Sequence, residues 1–149
     1  MWGNLAIAST IAITILFGAA AIDHFNDPLL WLVAASAMSL TTAREIIMDT
    51  NDQEGDYNRN TLPKVLGNEK ARKTVWILSV GSALLITLPF TLGYLPQNLV
   101  VFVLPAVLSS IAVKPFLKQG NDNEAGHILR VAMIFGLLGL ALCGMIINY

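Results

Sequence analysis

Charge is what this sequence has least of: 13% of its 149 residues are Asp, Glu, Lys or Arg, against 55% hydrophobic. A soluble domain carries about a quarter charged residues, so an ordinary water-soluble fold is excluded. Cysteine is almost absent. Cys143 stands alone in an apolar block, which rules out an intrachain disulfide, a cysteine-based metal cluster and a C-x-x-C redox motif. No basic residue precedes the first apolar run, so a cleavable signal peptide is not expected. There is no Ser-His-Asp set, glycine-rich phosphate loop or nucleic-acid footprint. His24 and His127 have no metal-ligand company. The net charge of −1 says little about partners, because the charges are segregated along the chain.

What is present is a set of long apolar blocks. Five runs, about 5–22, 28–48, 74–92, 98–113 and 128–148, approach or exceed the roughly 17–25 helical residues that cross a hydrocarbon core. They predict an all-α, polytopic transmembrane helical bundle of about five spans, forming a single membrane domain over 1–149. Gly18–Ala21 and Ala34–Ala37 offer small faces for close helix packing. Pro89 and Pro105 are expected to kink or end their helices. Short connections after the first and third runs make successive helices antiparallel.

The basic residues set the orientation. All nine fall in or beside two segments, 49–73 and 114–127, and none lies in the two short connections. The positive-inside rule places both charged segments in the cytoplasm, with Met1 cytoplasmic and Tyr149 external. The expected location is therefore the cell membrane, with the motif loop 49–73 facing inward. Trp2, Trp31, Trp76, Tyr94 and Tyr149 lie near run ends, as an interfacial aromatic belt requires.

The informative stretch is Ala43-Arg44-Glu45-Ile46-Ile47-Met48-Asp49-Thr50-Asn51-Asp52-Gln53-Glu54-Gly55-Asp56. If the second helix continues through it, Asp49, Asp52 and Asp56 fall at i, i+3 and i+7, within roughly 60° of one another. Glu45 joins that face one turn earlier. Carboxylates so placed repel unless a cation neutralises them, and Mg²⁺ suits them because it bridges one or two carboxylates to phosphate oxygens. Asp49, Asp52 and Asp56 are accordingly the candidate Mg²⁺ ligands and catalytic residues. On spacing alone, a solvated acidic loop that caps a membrane helix accounts for them equally well. Arg44, Lys64, Lys114 and Lys118 are candidate substrate-binding residues through their charge, with Lys70, Arg72 and Lys73 nearby; topology alone also accounts for these lysines.

The wider string resembles the second aspartate-rich motif of the UbiA family of intramembrane prenyltransferases: Ala-Arg-Glu, then D-x-x-D-x-E-G-D, Thr61-Leu62-Pro63 and Val65-Leu66-Gly67. Gly3-Asn4 ahead of Leu16-Phe17-Gly18 looks like the start of that family's fifth helix, and Glu69-Lys70-Ala71 also fits. The resemblance implies the fifth to ninth helices, the C-terminal half of a nine-helix fold. It implies a Mg²⁺-dependent transfer of a prenyl group from a polyprenyl diphosphate to an acceptor. The Arg-Glu lead-in looks most like the archaeal digeranylgeranylglyceryl phosphate synthase branch, whose acceptor is geranylgeranylglyceryl phosphate and whose donor carries a geranylgeranyl group. Quinone- and chlorophyll-forming branches share parts of the string, and a non-catalytic membrane subunit is a further alternative.

Two departures matter. The family's other motif, N-D-x-x-D-x-x-x-D, does not occur; Asp23 and Asp27 are expected on the opposite face and cannot replace it. The loop between Asp56 and Thr61 is also about two residues shorter than the resemblance implies. The expectation is a half-site that is incomplete or inactive alone: a fragment, a split enzyme needing an N-terminal-half partner chain, or a degenerate relative.

Overall fold

The computed structural model describes residues 2–52 and 61–147. All regular structure in these residues is helical, which bears out the all-α bundle. Four helices are long and apolar enough to cross a membrane: α1 (Trp2–Ala21), α2 (Pro28–Asn51), α4 (Asn68–Thr91) and α7 (Asp122–Ile147). Between α2 and α4 lies the short α3 (Leu62–Leu66). Asp27 caps α2 by accepting the Leu29 amide at 2.9 Å, and Pro28 stands in the first turn, where its missing N–H costs nothing.

The fourth run departs from the expected single span. It folds as a 3₁₀ helix (Gln97–Phe102), α5 (Leu104–Ala112) and α6 (Lys114–Gln119). Pro105 and Pro115 stand in the first turns of α5 and α6. Each removes an i→i−4 hydrogen bond and excludes a continuous helix through its position. Pro89, the other proline expected to kink or end its helix, stays inside the last turns of α4 and is buried. The segment 49–73 is also less of a loop than expected. Residues 49–51 finish α2, 62–66 form α3, and 68–73 open α4. The last helix begins two turns early, at Asp122.

Helices α1 and α2, and α2 and α4, pack antiparallel. The second pair approaches closely enough for backbone contact: Ser36 and Ser82 each donate to the other's carbonyl at 3.0 Å, and Ser39 donates to Leu78 O at 2.9 Å. These bonds satisfy hydroxyls that hydrocarbon would leave bare. Ala19, Ala34 and Ser36 of the expected small faces are buried, whereas Gly18 faces open space. Helix α7 presents its own small residues, with Gly136 against Ile86 and Ala106 and Gly139 against the Phe102 carbonyl.

Two apolar clusters hold the bundle. One joins Leu40, Ala43, Ile46, Ile47, Val75 and Leu129; the other joins Ile86, Phe90, Leu95, Leu99, Val103 and Cys143. The outer surface is apolar too: Phe17, Ile77 and Leu137 are 75%, 68% and 72% exposed. A water-soluble monomer does not expose so many large side chains. A bilayer accommodates them.

Candidate functional site

The acidic motif sits at the C-terminal end of α2. Asp49 lies in the last helical turn, and Asp52 is the capping residue, its N–H donating to Met48 O. Thr50 is buried and donates to Ile46 O at 3.0 Å, so it turns inward while Asp52 faces solvent. Asp56 lies outside the described residues, and its expected place on the helical stripe is not part of the geometry. Asp49 has one partner that no spacing argument suggested. The side-chain amide of Asn4, almost fully buried at the start of α1, donates to Asp49 Oδ2 at 2.7 Å. A carboxylate offers only acceptors, so the Asn4 nitrogen is the donor. This contact fixes the rotamer of Asp49 and places the start of α1 beside the end of α2.

Among the described residues, no three Asp, Glu, His or Cys side chains gather closely enough to hold a metal ion by themselves. What Asp49 and Asp52 offer is two carboxylates at i, i+3 on a helix end. That fits Mg²⁺, which takes one or two protein carboxylates and completes its octahedron with water and substrate phosphate oxygens. Arg44 and Glu45 form a half-buried pair at 2.7 Å one turn before Asp49. That pair partly neutralises Arg44, the candidate substrate-binding residue nearest the acidic motif.

The remaining candidate cations separate. Lys64 is exposed on α3. Lys114 and Lys118 of α6 face Glu69, Arg72, Lys73 and Trp76 of α4 across a cleft of about 430 Å³. Lys114 Nζ lies 4.8 Å from the centre of the Trp76 ring, a cation–π distance. Trp76, expected in the interfacial belt, is thus also the bed of a lysine. Arg72 is held in a two-pronged bond, Nε to Asp122 Oδ1 at 2.8 Å and Nη2 to Asp122 Oδ2 at 2.6 Å. This bond clamps the N-terminal ends of α4 and α7 together, as the Asn4–Asp49 bond joins the start of α1 to the end of α2. The sequence signal for Asp122 was present: an acid in the first turn of a helix, where the macrodipole favours it.

Inside this charged end lies an apolar chamber of about 490 Å³ between α1, α2, α4, α5 and α7. Leu40, Ala37 and Val33 line it from α2, Ile86 from α4 and Leu140 from α7. Leu40 is nine residues before Asp49, which is roughly 13 Å of helix. The chamber's hydroxyls are committed elsewhere. Ser36 and Ser82 bond each other's backbones, Ser110 donates to Ala106 O, and Thr14 donates to Thr10 O. Thr41 is buried just above the chamber, with its hydroxyl unpaired among the described residues, whereas Thr42 donates to Met38 O.

Comparison with known proteins adds a family model described as the UbiA prenyltransferase family, which matches residues 1–137. Three similar curated proteins are each named digeranylgeranylglyceryl phosphate synthase. That of Halobacterium salinarum is 35% identical over 130 residues, covering 85% of this chain and 45% of the relative. That of Saccharolobus solfataricus is 32% identical over 152 residues, covering 95% and 51%. That of Methanosarcina mazei is 29% identical over 139 residues, covering 91% and 48%. The chain therefore spans about half the length of the curated relatives it matches. No solved structure matches it significantly.

Proposed function

The chain belongs to the UbiA prenyltransferase family, and on that footing we propose that it forms the C-terminal half of an intramembrane prenyltransferase. The donor is a polyprenyl diphosphate, and the acceptor is a lipid hydroxyl such as that of geranylgeranylglyceryl phosphate. The acceptor assignment rests on the names of the similar archaeal proteins. The single observation that carries the reading is the stacking of two unlike environments: an acidic helix end, and an apolar chamber two to three turns below it.

The chemistry follows from that stacking. Asp49 and Asp52, with Asp56 following in the motif, would hold Mg²⁺ and through it the diphosphate. The ion supplies charge stabilisation as the diphosphate departs. The allylic C–O bond of the donor breaks, and the bonding pair leaves with the diphosphate. An ether C–O bond then forms between the prenyl carbon and the acceptor hydroxyl, whose proton passes to the released diphosphate, the base that the reaction itself supplies. The chamber's task is exclusion. Its apolar wall keeps water from the electron-deficient carbon, and Ser36, Ser82, Ser110 and Thr14 have their hydroxyl protons engaged by carbonyls. Asn4 positions the Asp49 carboxylate. Arg44 and Lys64 supply positive charge at the same end, which the basic-residue distribution assigns to the cytoplasm, while Lys114 and Lys118 stand apart in the cleft between α4 and α6.

An N-terminal-half chain carrying the first aspartate-rich motif would complete the site, so activity belongs to the pair. Chain-length selectivity tests the role of the chamber. Ala37→Phe pushes a ring into the space that Ala37 lines. In the paired enzyme it should raise the KM for geranylgeranyl diphosphate about tenfold or more, the scale on which hydrophobic pockets discriminate, while sparing geranyl diphosphate. Equal effects on both donors would show that the chain binds elsewhere.

A further inference from the structure

We propose that the cleft between the first turns of α4 and the short helix α6 binds the phosphate headgroup of a membrane lipid, held by Lys114, Lys118 and Arg72. The site is distinct from the acidic end of α2: Asp49 turns toward Asn4 of α1, whereas the cleft opens between α4 and α6.

The charge balance of the cleft is the first argument. Arg72 and Asp122 neutralise each other in their two-pronged bond, and Lys73 and Glu69 form a loose pair at 3.7 Å, both largely exposed. Lys114 and Lys118 have no carboxylate partner among the described residues. They stand at i, i+4 on one helix, a spacing at which like charges repel. Two uncompensated ammonium groups thus face one cavity of about 430 Å³. Lys114 is held over Trp76, and Arg72 keeps Nη1 outside its bond to Asp122. An anion at this position would meet two donors already held, Lys114 and Arg72, with Lys118 exposed beside them.

What surrounds the cleft indicates a lipid. Two exposed apolar faces lead away from it. On α4, Ile77, Leu84 and Leu88 continue the face of Lys73; on α5, Leu104, Leu108 and Ile111 precede Lys114. Ile77, Leu84 and Leu108 are each more than 60% exposed, at 68%, 61% and 63%. Acyl chains lying along these faces would carry a headgroup to the level of Lys114 and Lys118. Basic pockets between helices at the cytoplasmic side are a recognised mode of anionic headgroup binding. A soluble phosphate would gain nothing from the apolar faces.

The test uses the purified 149-residue chain in a neutral detergent. Native mass spectrometry and thermal unfolding follow titration with short-chain phosphatidic acid, phosphatidylcholine of the same chain length, and inorganic phosphate. Phosphatidic acid should bind at least tenfold more tightly than phosphatidylcholine and should stabilise the chain, where inorganic phosphate at equal concentration does not. Lys114→Gln with Lys118→Gln should lose at least tenfold in affinity for phosphatidic acid. Lys118→Gln alone should lose part of it, and that exposed residue tests the site without disturbing the contact with Trp76. Asp49→Asn with Asp52→Asn should leave binding intact, which separates this site from the proposed transferase site whatever the fate of that proposal. Undiminished phosphatidic acid binding by the double-lysine variant would overturn the proposal. So would its loss in the aspartate variant, or an equal response to inorganic phosphate.

Discussion

Asp49→Asn combined with Asp52→Asn is expected to lower turnover of the paired enzyme by about a hundredfold or more while leaving its helix content unchanged. Losing a partner that merely orients a metal ligand costs 10–100-fold, and losing two ligands should exceed the upper end of that range. Asparagine retains shape and hydrogen-bonding capacity but removes the negative charge that draws Mg²⁺ to the diphosphate. The fold should survive. Asp52 is exposed at the helix cap, and Asp49 makes one side-chain hydrogen bond among the described residues, with Asn4; a bond to a charged group is worth roughly 1.5–3 kcal/mol, and asparagine keeps part of it. Circular dichroism and a product assay across a Mg²⁺ titration read the two outcomes separately. Turnover within a fewfold of the parent would refute the ligand assignment.

Gly139→Leu is expected to destabilise the bundle by about 3 kcal/mol, the upper end of the ordinary cost of overpacking a core. A Cβ at Gly139 would run into the carbonyl of Phe102, with Val103 at 3.2 Å behind it. The obstacle is backbone, so no rotamer change relieves it, and Val103 is fully buried. Either α7 moves away from the 3₁₀ helix at 97–102 or that segment moves, and each opens the cluster around Phe90 and Cys143. Gly18→Leu provides the control: Gly18 faces open space and shows no close neighbour. Thermal unfolding in detergent should place Gly139→Leu well below the parent and Gly18→Leu near it. Equal midpoints would show that the α7 contact does not hold the bundle.

The sequence disclosed the membrane class and the helical pattern because a bilayer demands long apolar stretches, and those are visible without structure. It misplaced helix ends for the same reason. Hydropathy marks where a helix enters hydrocarbon, whereas α2, α4 and α7 continue through Asp49, Glu69–Lys73 and Asp122–His127 into polar surroundings. Breaks at Val103 and Val113 within the fourth run escaped hydropathy altogether, although Pro105 and Pro115 flag the positions. The acidic motif was legible as residue types at a spacing. Its partner Asn4 was not, since 45 residues separate it from Asp49 and only the antiparallel packing of α1 on α2 joins them. The bond between Arg72 and Asp122 is hidden similarly, across 50 residues. Long-range polar pairs leave no periodicity to read.

Product formation by the chain with and without its complementary half tests the central claim most directly. Reconstitution in lipid bilayers with a four-helix UbiA N-terminal half carrying N-D-x-x-D, geranylgeranyl diphosphate, geranylgeranylglyceryl phosphate and Mg²⁺ should yield the digeranylgeranyl ether product. Neither half alone should form it. Failure of every folded pair to form product, or full activity of the 149-residue chain alone, would contradict the half-site account.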